Sequence, residues 1–359
     1  MAVYRLENIV HRYGGRPVLS VQDWSVAEGS ITGLFGPNGS GKSTLLSLLG
    51  FIEQPSAGQI YFKGAKAGGP YSRHIRSRVA LMPQESYLLK RTVYQNIAYG
   101  LRIRGDRSNE NERIRQALSL VGLDAERFGG RRWYELSGGE ARRAALAARL
   151  VLNPEVLLLD EPTAGVDAAS AQMMKKAAAE AHLRHGTSIV IASHDMQWLE
   201  DICHDIVYMF SGKILGKVGK TFIFGPWEKT RPGLAARRMA DGQVFEAQNP
   251  PENPAGAAAA IDPADITIHA SQKEVPRGKS ALKGTLMRVS LEKHSGRVRA
   301  SVSVGHTEFI VYPGPQTLAR HNHQPGAAVW VAYHPDRVDW YGVSADKHEA
   351  ADARHTYGL

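Results

Sequence analysis

The run Gly36-Pro37-Asn38-Gly39-Ser40-Gly41-Lys42-Ser43-Thr44 has the residue types and spacing of a phosphate cradle. Its glycines let the chain turn so that backbone N–H groups point inward, and the helix that follows adds the partial positive charge of its N-terminus. Lys42 is placed to reach the outer phosphates of a nucleotide, and Ser43 to hold magnesium. The plainer reading, a Gly-rich turn with no ligand, leaves the register of Gly36, Gly41, Lys42 and Ser43 between a strand and a helix unexplained. A second constellation is Val156-Leu157-Leu158-Leu159-Asp160-Glu161-Pro162, an apolar strand ending in two carboxylates. A strand apolar on both faces belongs in a parallel sheet covered on both sides, and such sheets place ligands at their C-terminal ends. Asp160 can anchor a metal there, and Glu161 can orient and deprotonate a water.

These groups need a scaffold. Strands are expected at Val3–Val10, Val18–Val26, Ile31–Phe35, Gln59–Phe62, Val79–Met82, Val156–Asp160, Ser188–Ala192, Ile206–Phe210 and Lys213–Leu215. Helices are expected at Lys42–Gly50, Val93–Leu101, Glu112–Val121, Gly138–Leu152, Ala169–His185 and Met196–Ile202. This alternation predicts an α/β domain over residues 1–240 around a largely parallel sheet, with a strand-free helical insertion at about 85–135. Residues 241–260, centred on Asn249-Pro250-Pro251-Glu252-Asn253-Pro254, read as a Pro/Ala-rich linker. Beyond it, Leu282–Ser290, Val298–Val304, Glu308–Val311 and Ala328–Tyr333 alternate apolar and polar residues, which predicts a small antiparallel β domain over 261–344. Residues 345–359 read as a polar, flexible tail.

The chain has 359 residues, enough for two domains, and 43% of them are hydrophobic. No apolar run is long enough to cross a bilayer, and the N-terminus lacks the apolar core of a signal peptide. A single cysteine, Cys203, excludes an internal disulfide framework and fits a reducing compartment. The net charge of +9, nearly all of it before residue 249, suits acidic partners such as nucleotides, or a solvated surface with no specific partner.

Leu136-Ser137-Gly138-Gly139-Glu140 reads locally as a capping box opening a helix, with two glycines exposing N–H groups: a second phosphate-binding helix end. With the phosphate loop before it and the Asp160-Glu161 strand end after it, the chain resembles the ABC-type ATPases over residues 1 to about 215. The resemblance implies a RecA-like α/β core with a helical subdomain, ATP and magnesium as ligands, and a homodimer. In that dimer Ser137, Gly138, Gly139 and Glu140 of one copy close on the nucleotide held by residues 36–44 of the other. It further implies that Tyr13 stacks on adenine, that Gln84 touches metal and attacking water, and that His194 contacts the γ-phosphate. Ser43 and Asp160 would complete the metal site, and Asp167 would lie in a loop crossing the dimer interface. The chain departs from the usual pattern at Glu140, where glutamine is commoner, at Ala141-Arg142, and at Ala164-Gly165-Val166 ahead of Asp167.

One such cassette without a membrane segment implies either the energising subunit of a transporter with separate permease chains or a soluble ATPase. The absence of sustained heptads opposes a coiled-coil DNA-repair relative, so transport is expected and nucleic acid is not. Ile261-Asp262-Pro263-Ala264-Asp265-Ile266 and Gln324–Ala332 resemble the appended regulatory β domain, of the TOBE type, found on bacterial import ATPases. Asp262 replaces the arginine usual there. Gly50–Pro55, Tyr87–Val93, Trp133–Ser137 and Ala192–Leu199 resemble tungstate importers, with molybdate, sulfate, ferric-ion and polyamine importers as alternatives. The resemblance implies a peripheral subunit on the cytoplasmic face of the membrane, bound to permease subunits and served indirectly by a substrate-binding protein. Arg320, Asn322 and Lys283 are scattered oxyanion-ligand candidates in the tail region.

Overall fold

The computed structural model describes residues 1–68, 71–85, 88–217, 219–254, 257–291, 296–314, 317 and 324–341. The chain divides into two compact units, Met1–Val218 and Gly219–Leu359.

In the first unit, β1 (Ala2–Tyr13), β2 (Arg16–Ala27), β4 (Ala57–Phe62) and β5 (Ala65–Ala67) form an antiparallel sheet of order β2-β1-β4-β5. A six-stranded sheet runs β10-β9-β3-β8-β7-β6, from β3 (Ile31–Phe35), β6 (Val79–Met82), β7 (Val156–Asp160), β8 (Ser188–Ser193), β9 (Asp205–Phe210) and β10 (Lys213–Lys217). All its pairings are parallel except the β9–β10 hairpin. The helices are α1 (Lys42–Leu49), α2 (Tyr71–Arg76), α3 (Val93–Ile103), α4 (Glu110–Leu120), α5 (Ala125–Phe128), α6 (Gly138–Leu150), α7 (Ala168–His185) and α8 (Met196–Glu200).

The fully apolar β7 has a job on each face, because successive side chains of a strand point to opposite sides. Val156 and Leu158 pack with α1 (Leu45, Leu46, Leu48, Leu49) and with Leu6, Ile60 and Phe62 of the antiparallel sheet. Leu157 and Leu159 pack with Ala144, Leu146 and Ala147 of α6 and Ala177 and Ala178 of α7. Truncating any of these buried leucines to alanine costs about 2–5 kcal/mol. The strand is therefore fixed from both sides, and its carboxylate end cannot drift. The expected helical insertion is α3, α4 and α5. It packs on α6, and among its described residues the one strand-like feature is the isolated bridge between Thr92 and Arg132.

The second unit differs from expectation. Its boundary lies at 218/219, not near 240, and residues 241–260 are not a linker. β11 (Thr221–Phe224), β12 (Glu228–Arg231), β13 (Leu234–Arg238), β14 (Val244–Gln248) and β15 (Ala258–Ile261) all precede the strands foreseen. β16 (Ile266–His269), β17 (Ser280–Leu291), β18 (Val298–Val304), β19 (Thr307–Val311), β20 (Ala328–Tyr333) and β21 (Val338–Tyr341) follow. They form three antiparallel sheets, β11-β15-β21, β12-β13-β14 and β16-β20-β17-β18-β19, around one apolar core. Phe245 and Ala247 of β14 are fully buried there, as are Ala258–Ile261 of β15, which pairs with β11 on one side and β21 on the other. The alanines that suggested a linker make a thin strand that lies flush between two neighbours.

Candidate active site

β3 delivers the chain to Gly36 between β8 and β9, its parallel neighbours. Only glycine fits at Gly36, because a Cβ there would stand 2.2 Å from the Met209 carbonyl oxygen. Gly41, at φ +94°, caps α1 without a side-chain acceptor, so the first-turn N–H groups lack the side-chain partner that most helix starts have. That leaves them available to an anion. Lys42 is buried. Its Nζ donates to the carbonyls of Gly36 at 2.7 Å and Pro37 at 3.1 Å, and lies 3.7 Å from Glu161 Oε1. Burial pushes its pKa down, and the Glu161 and Asp160 carboxylates oppose that.

Asp160 and Glu161 are both buried at the end of β7. Burial pushes the Asp160 pKa up, a hydrogen bond from the Ser43 hydroxyl pulls the other way, and the neighbouring Glu161 charge adds to the rise. Glu161 has φ +43°, in the left-handed region. Its amide donates to Ala192 O at 2.8 Å, and its carbonyl accepts from Ala164 N at 3.1 Å. His194 Nδ1 lies 2.9 Å from Glu161 Oε2, and the Ser193 hydroxyl donates to the same oxygen at 3.4 Å. Lys42, Ser43, Asp160, Glu161 and His194, named from three separate stretches of sequence, thus meet at the C-terminal ends of β3, β7 and β8. Asp160 Oδ1, Glu161 Oε1 and Ser40 Oγ are buried without a hydrogen-bond partner. Oxygen atoms stripped of water in this way suit a hard cation or a ligand carrying N–H or O–H groups.

Tyr13 lies at the end of β1 and is half exposed. Its hydroxyl donates to the Glu53 carboxylate at 2.7 Å and also meets the Thr44 side chain. His11 Nε2 stands 3.0 Å from Glu53 Oε2, so Glu53, a residue not singled out from the sequence, ties Tyr13 and His11 to the turn that follows the phosphate loop's helix. Gln84 is exposed just beyond β6. Tyr87, part of a quoted segment, lies outside the described residues.

Ser137 forms the expected capping box of α6. Its hydroxyl accepts from Glu140 N at 3.2 Å, and Glu140 Oε2 accepts from Ser137 N at 2.9 Å. The box needs a carbonyl-type oxygen at position 140, which glutamate supplies as well as glutamine. A Cβ on Gly139 would stand 2.6 Å from Ser170 Oγ, so the helix start packs closely on α7. Asp167 caps α7 by accepting from Ser170 N at 2.8 Å and Ser170 Oγ at 2.9 Å, and these bonds hold its pKa down.

Arg142 escaped the sequence reading except as a departure from pattern. Its Nη1 donates to Ala164 O at 2.6 Å, and its Nη2 to Gln84 O at 2.6 Å and Glu161 O at 2.8 Å. Contacts to distant carbonyls leave no local signal in a sequence.

Residues 19–164 match the family model described as ABC transporter. The chain is 34% identical over 210 residues to the tungstate uptake system ATP-binding protein TupC of Peptoclostridium acidaminophilum, covering 58% of this chain and 95% of that protein. The chain belongs to the ABC transporter family. It is an ATP-binding, ATP-hydrolysing member of it. It is also 35% identical over 213 residues to the Fe(3+) ions import ATP-binding protein FbpC of Vibrio cholerae, covering 58% of this chain and 59% of that one. Among solved structures, a dimeric ATP-binding cassette in a post-hydrolysis state bound to ADP and Pi is 25% identical, with a TM-score of 0.55 over 60% of this chain and 97% of that one. These alignments span no more of the ABC chain than its first unit can supply. Among the described residues no helix is long and apolar enough to cross a membrane.

Proposed function

We propose that this chain is the ATP-hydrolysing subunit of an importer that takes up tungstate through separate permease subunits, working as a pair of copies on the cytoplasmic face of the membrane. The observation that carries the hydrolytic part is the buried Glu161 carboxylate between Lys42 and His194, at the mouth of a phosphate loop whose helix start is uncapped.

In this reading the N–H groups of residues 39–44 and the Lys42 ammonium hold the β- and γ-phosphates of ATP. Tyr13 stacks on the adenine, steadied by Glu53. Magnesium fits the oxygen donors present, Ser43 and Asp160 with its unpartnered buried oxygen, and the Gln84 amide is read as a further ligand on the family resemblance. When bound it would neutralise charge on the phosphate oxygens. Glu161 accepts a proton from the attacking water as the water oxygen bonds to the γ-phosphorus and the bond to the ADP oxygen breaks. His194 orients the Glu161 carboxylate from the far side and reaches toward the γ-phosphate. Ser137 and Gly139 of a second copy enclose that phosphate, and Asp167 lies along the contact between copies. The second unit, residues 219–359, is read as the regulatory β domain of import ATPases, with Asp262 replacing the usual arginine as the cap of its opening turn. Asp262 Oδ1 accepts from Ala264 N at 2.9 Å. Of the oxyanion-ligand candidates, Lys283 sits on β17 with its main chain paired to the Gln243 side chain, while Arg320 and Asn322 fall outside the described residues.

Tungstate is favoured on the resemblance of Gly50–Pro55, Trp133–Ser137 and Ala192–Leu199 to tungstate importers, with the tungstate relative at 34% identity and the ferric-ion relative at 35% over nearly the same length. The test deletes this chain and measures uptake of labelled tungstate at submicromolar concentration, with molybdate, sulfate and ferric ion as competitors. Lost uptake, restored by the wild-type chain and not by Glu161→Gln, is expected. Unchanged tungstate uptake in a strain without a second importer removes the substrate and leaves the ATPase standing.

A further inference from the structure

The geometry points to Arg142 as a positioning residue for hydrolysis: from the second turn of α6 it grips the backbone of Glu161 and ties it to the segments at Gln84 and Ala164. This rests on the reading of Glu161 as the base.

Glu161 occupies a backbone conformation that side-chain-bearing residues rarely adopt, with φ +43°. Such a conformation persists where the surroundings over-determine it. Its amide is tied to β8 through Ala192 O, and its carbonyl accepts from two donors, Ala164 N and Arg142 Nη2. Rotation of that peptide would swing the carboxylate away from Lys42 and His194. The arginine is the one of these partners supplied by a side chain, and it comes from the helix that Ser137 caps. The same Nη2 reaches Gln84 O, and Nη1 reaches Ala164 O.

Only a planar fork spans three carbonyls in this way. Glutamine offers two N–H groups on one nitrogen, and lysine is a point charge without a fixed fork. Burial acts to lower the guanidinium's pKa, and the Glu161 and Asp160 charges act to keep it protonated. The adjacent Arg143 does something else. It points about a quarter-turn round the helix and donates to Val121 O and Gly122 O in the helical lobe, at 3.0 Å each. Two consecutive arginines therefore fasten α6 to different parts of the unit, and only Arg142 touches the backbone of the catalytic loop. The Gln84 and Ala164 segments flank that loop, so a shift of α6 is passed through a single side chain to the carboxylate, the metal-side glutamine and the turn leading to Asp167.

The test uses the full-length chain carrying Arg142→Ala, Arg142→Lys or Arg142→Gln, with ATP turnover, ADP affinity and thermal midpoint measured on each. For Arg142→Ala, kcat is expected to fall about 10- to 100-fold, with ADP affinity changed less than about twofold and the midpoint within a few degrees. Arg142→Lys and Arg142→Gln should recover little, and millimolar guanidinium ion should restore part of the turnover of Arg142→Ala while leaving the wild type unchanged. In single-turnover measurements on a Glu161→Gln background, adding Arg142→Ala should cost nothing further. Wild-type kcat in both Arg142→Ala and Arg142→Lys overturns the proposal. So does a full additional loss in the Glu161→Gln background. Should Arg142→Ala not fold, Arg142→Lys decides alone. Full turnover by Glu161→Gln itself would instead sink the reading of the base, and is seen independently of Arg142.

Discussion

Residues 1–218 bury Lys42, Asp160 and Glu161 within reach of one another, whereas no charged residue is buried among the described residues of 219–359. The largest fully buried side chains among the described residues of the second unit are Phe245, Phe309 and Tyr333, with Phe245 and Tyr333 stacked at 4.7 Å and the nearly buried Trp227 beside Phe245. Their polar tips are satisfied: Tyr333 accepts from Glu246 N at 3.0 Å, and Trp227 donates to Ala257 O at 2.9 Å. Taking a charge out of water costs several kcal/mol unless it is paired. The first unit bears that cost at one place, along with a strained Glu161 and unpartnered oxygens, and that place is where the sequence signals a nucleotide. Among the described residues of the second unit the nearest counterpart is a single half-buried guanidinium, Arg237, whose Nε lacks a partner and whose pKa burial pushes down, with no carboxylate beside it in the core. Reaction chemistry and packing are thus divided between the two units, and catalysis is assigned to the first alone.

The sharpest way to break this contrast is Glu161→Gln. The change keeps volume and polarity but removes the base, so kcat should fall about 10²- to 10⁴-fold with ATP binding retained, measured by phosphate release and by nucleotide titration. Full turnover would mean that the buried carboxylate is structural after all.

The next largest effect separates the units by truncation. A chain ending at Lys217 should bind ATP with unchanged affinity, since every residue of the site precedes that point. A chain ending at Pro250 keeps β11 to β14 but loses β15 and its partners, so its extra strands expose Phe245 and Ala247 and should drive aggregation. Light scattering and nucleotide titration on the two truncations check this. Equal solubility would show that the second unit's core begins later than residue 219.

How much of this was legible follows from the range of the interactions. The phosphate loop, the Asp160-Glu161 strand end and the Ser137 capping box each depend on neighbours a few residues apart, so spacing exposes them. The strands of the first unit show through because their burial on one or both faces imposes a visible apolar pattern. β12 is exposed at all four residues, and β15 is three alanines and an isoleucine whose strand character comes from β11 and β21. Neither carries a pattern of its own, and so residues 219–260 read as the end of one domain and a linker. Arg142 and Glu53 act on groups dozens of residues away, a relation that a single sequence does not encode locally.

Smaller effects refine the contrast. Tyr333→Phe removes the hydroxyl's hydrogen bonds with Glu246 N and the Ser280 side chain and should lower the second unit's stability by about 1–2 kcal/mol, leaving kcat unchanged. A thermal scan beside an ATPase assay tests both halves. Smallest is Glu155, whose carboxylate meets Arg78 and Lys63 on the surface of the first unit. The Arg78 hydrogen bonds are the main cause that holds its pKa at about 2, against 4.5 for the free group, and Lys63 adds to them. A carboxylate with a depressed pKa contributes stability above its unfolded pKa and loses it as pH falls through the folded one. The contribution is therefore present above about pH 4.5 and gone below about pH 2. Because the side chain is 37% exposed, solvent screening reduces it to about 1 kcal/mol or less. Glu155→Gln should lower the unfolding free energy by that amount at pH 7 and by only a small part of it at pH 2, read from denaturant titrations at the two values.

The central claim is that Glu161 works in a site held by one copy and closed by Ser137 and Gly139 of another. Sedimentation velocity on full-length Glu161→Gln with saturating ATP and magnesium tests it most directly. A stable pair that dissociates when ATP is replaced by ADP is the predicted result. A species that binds ATP fully yet sediments as a monomer, both alone and after removal from its permease complex, would contradict it.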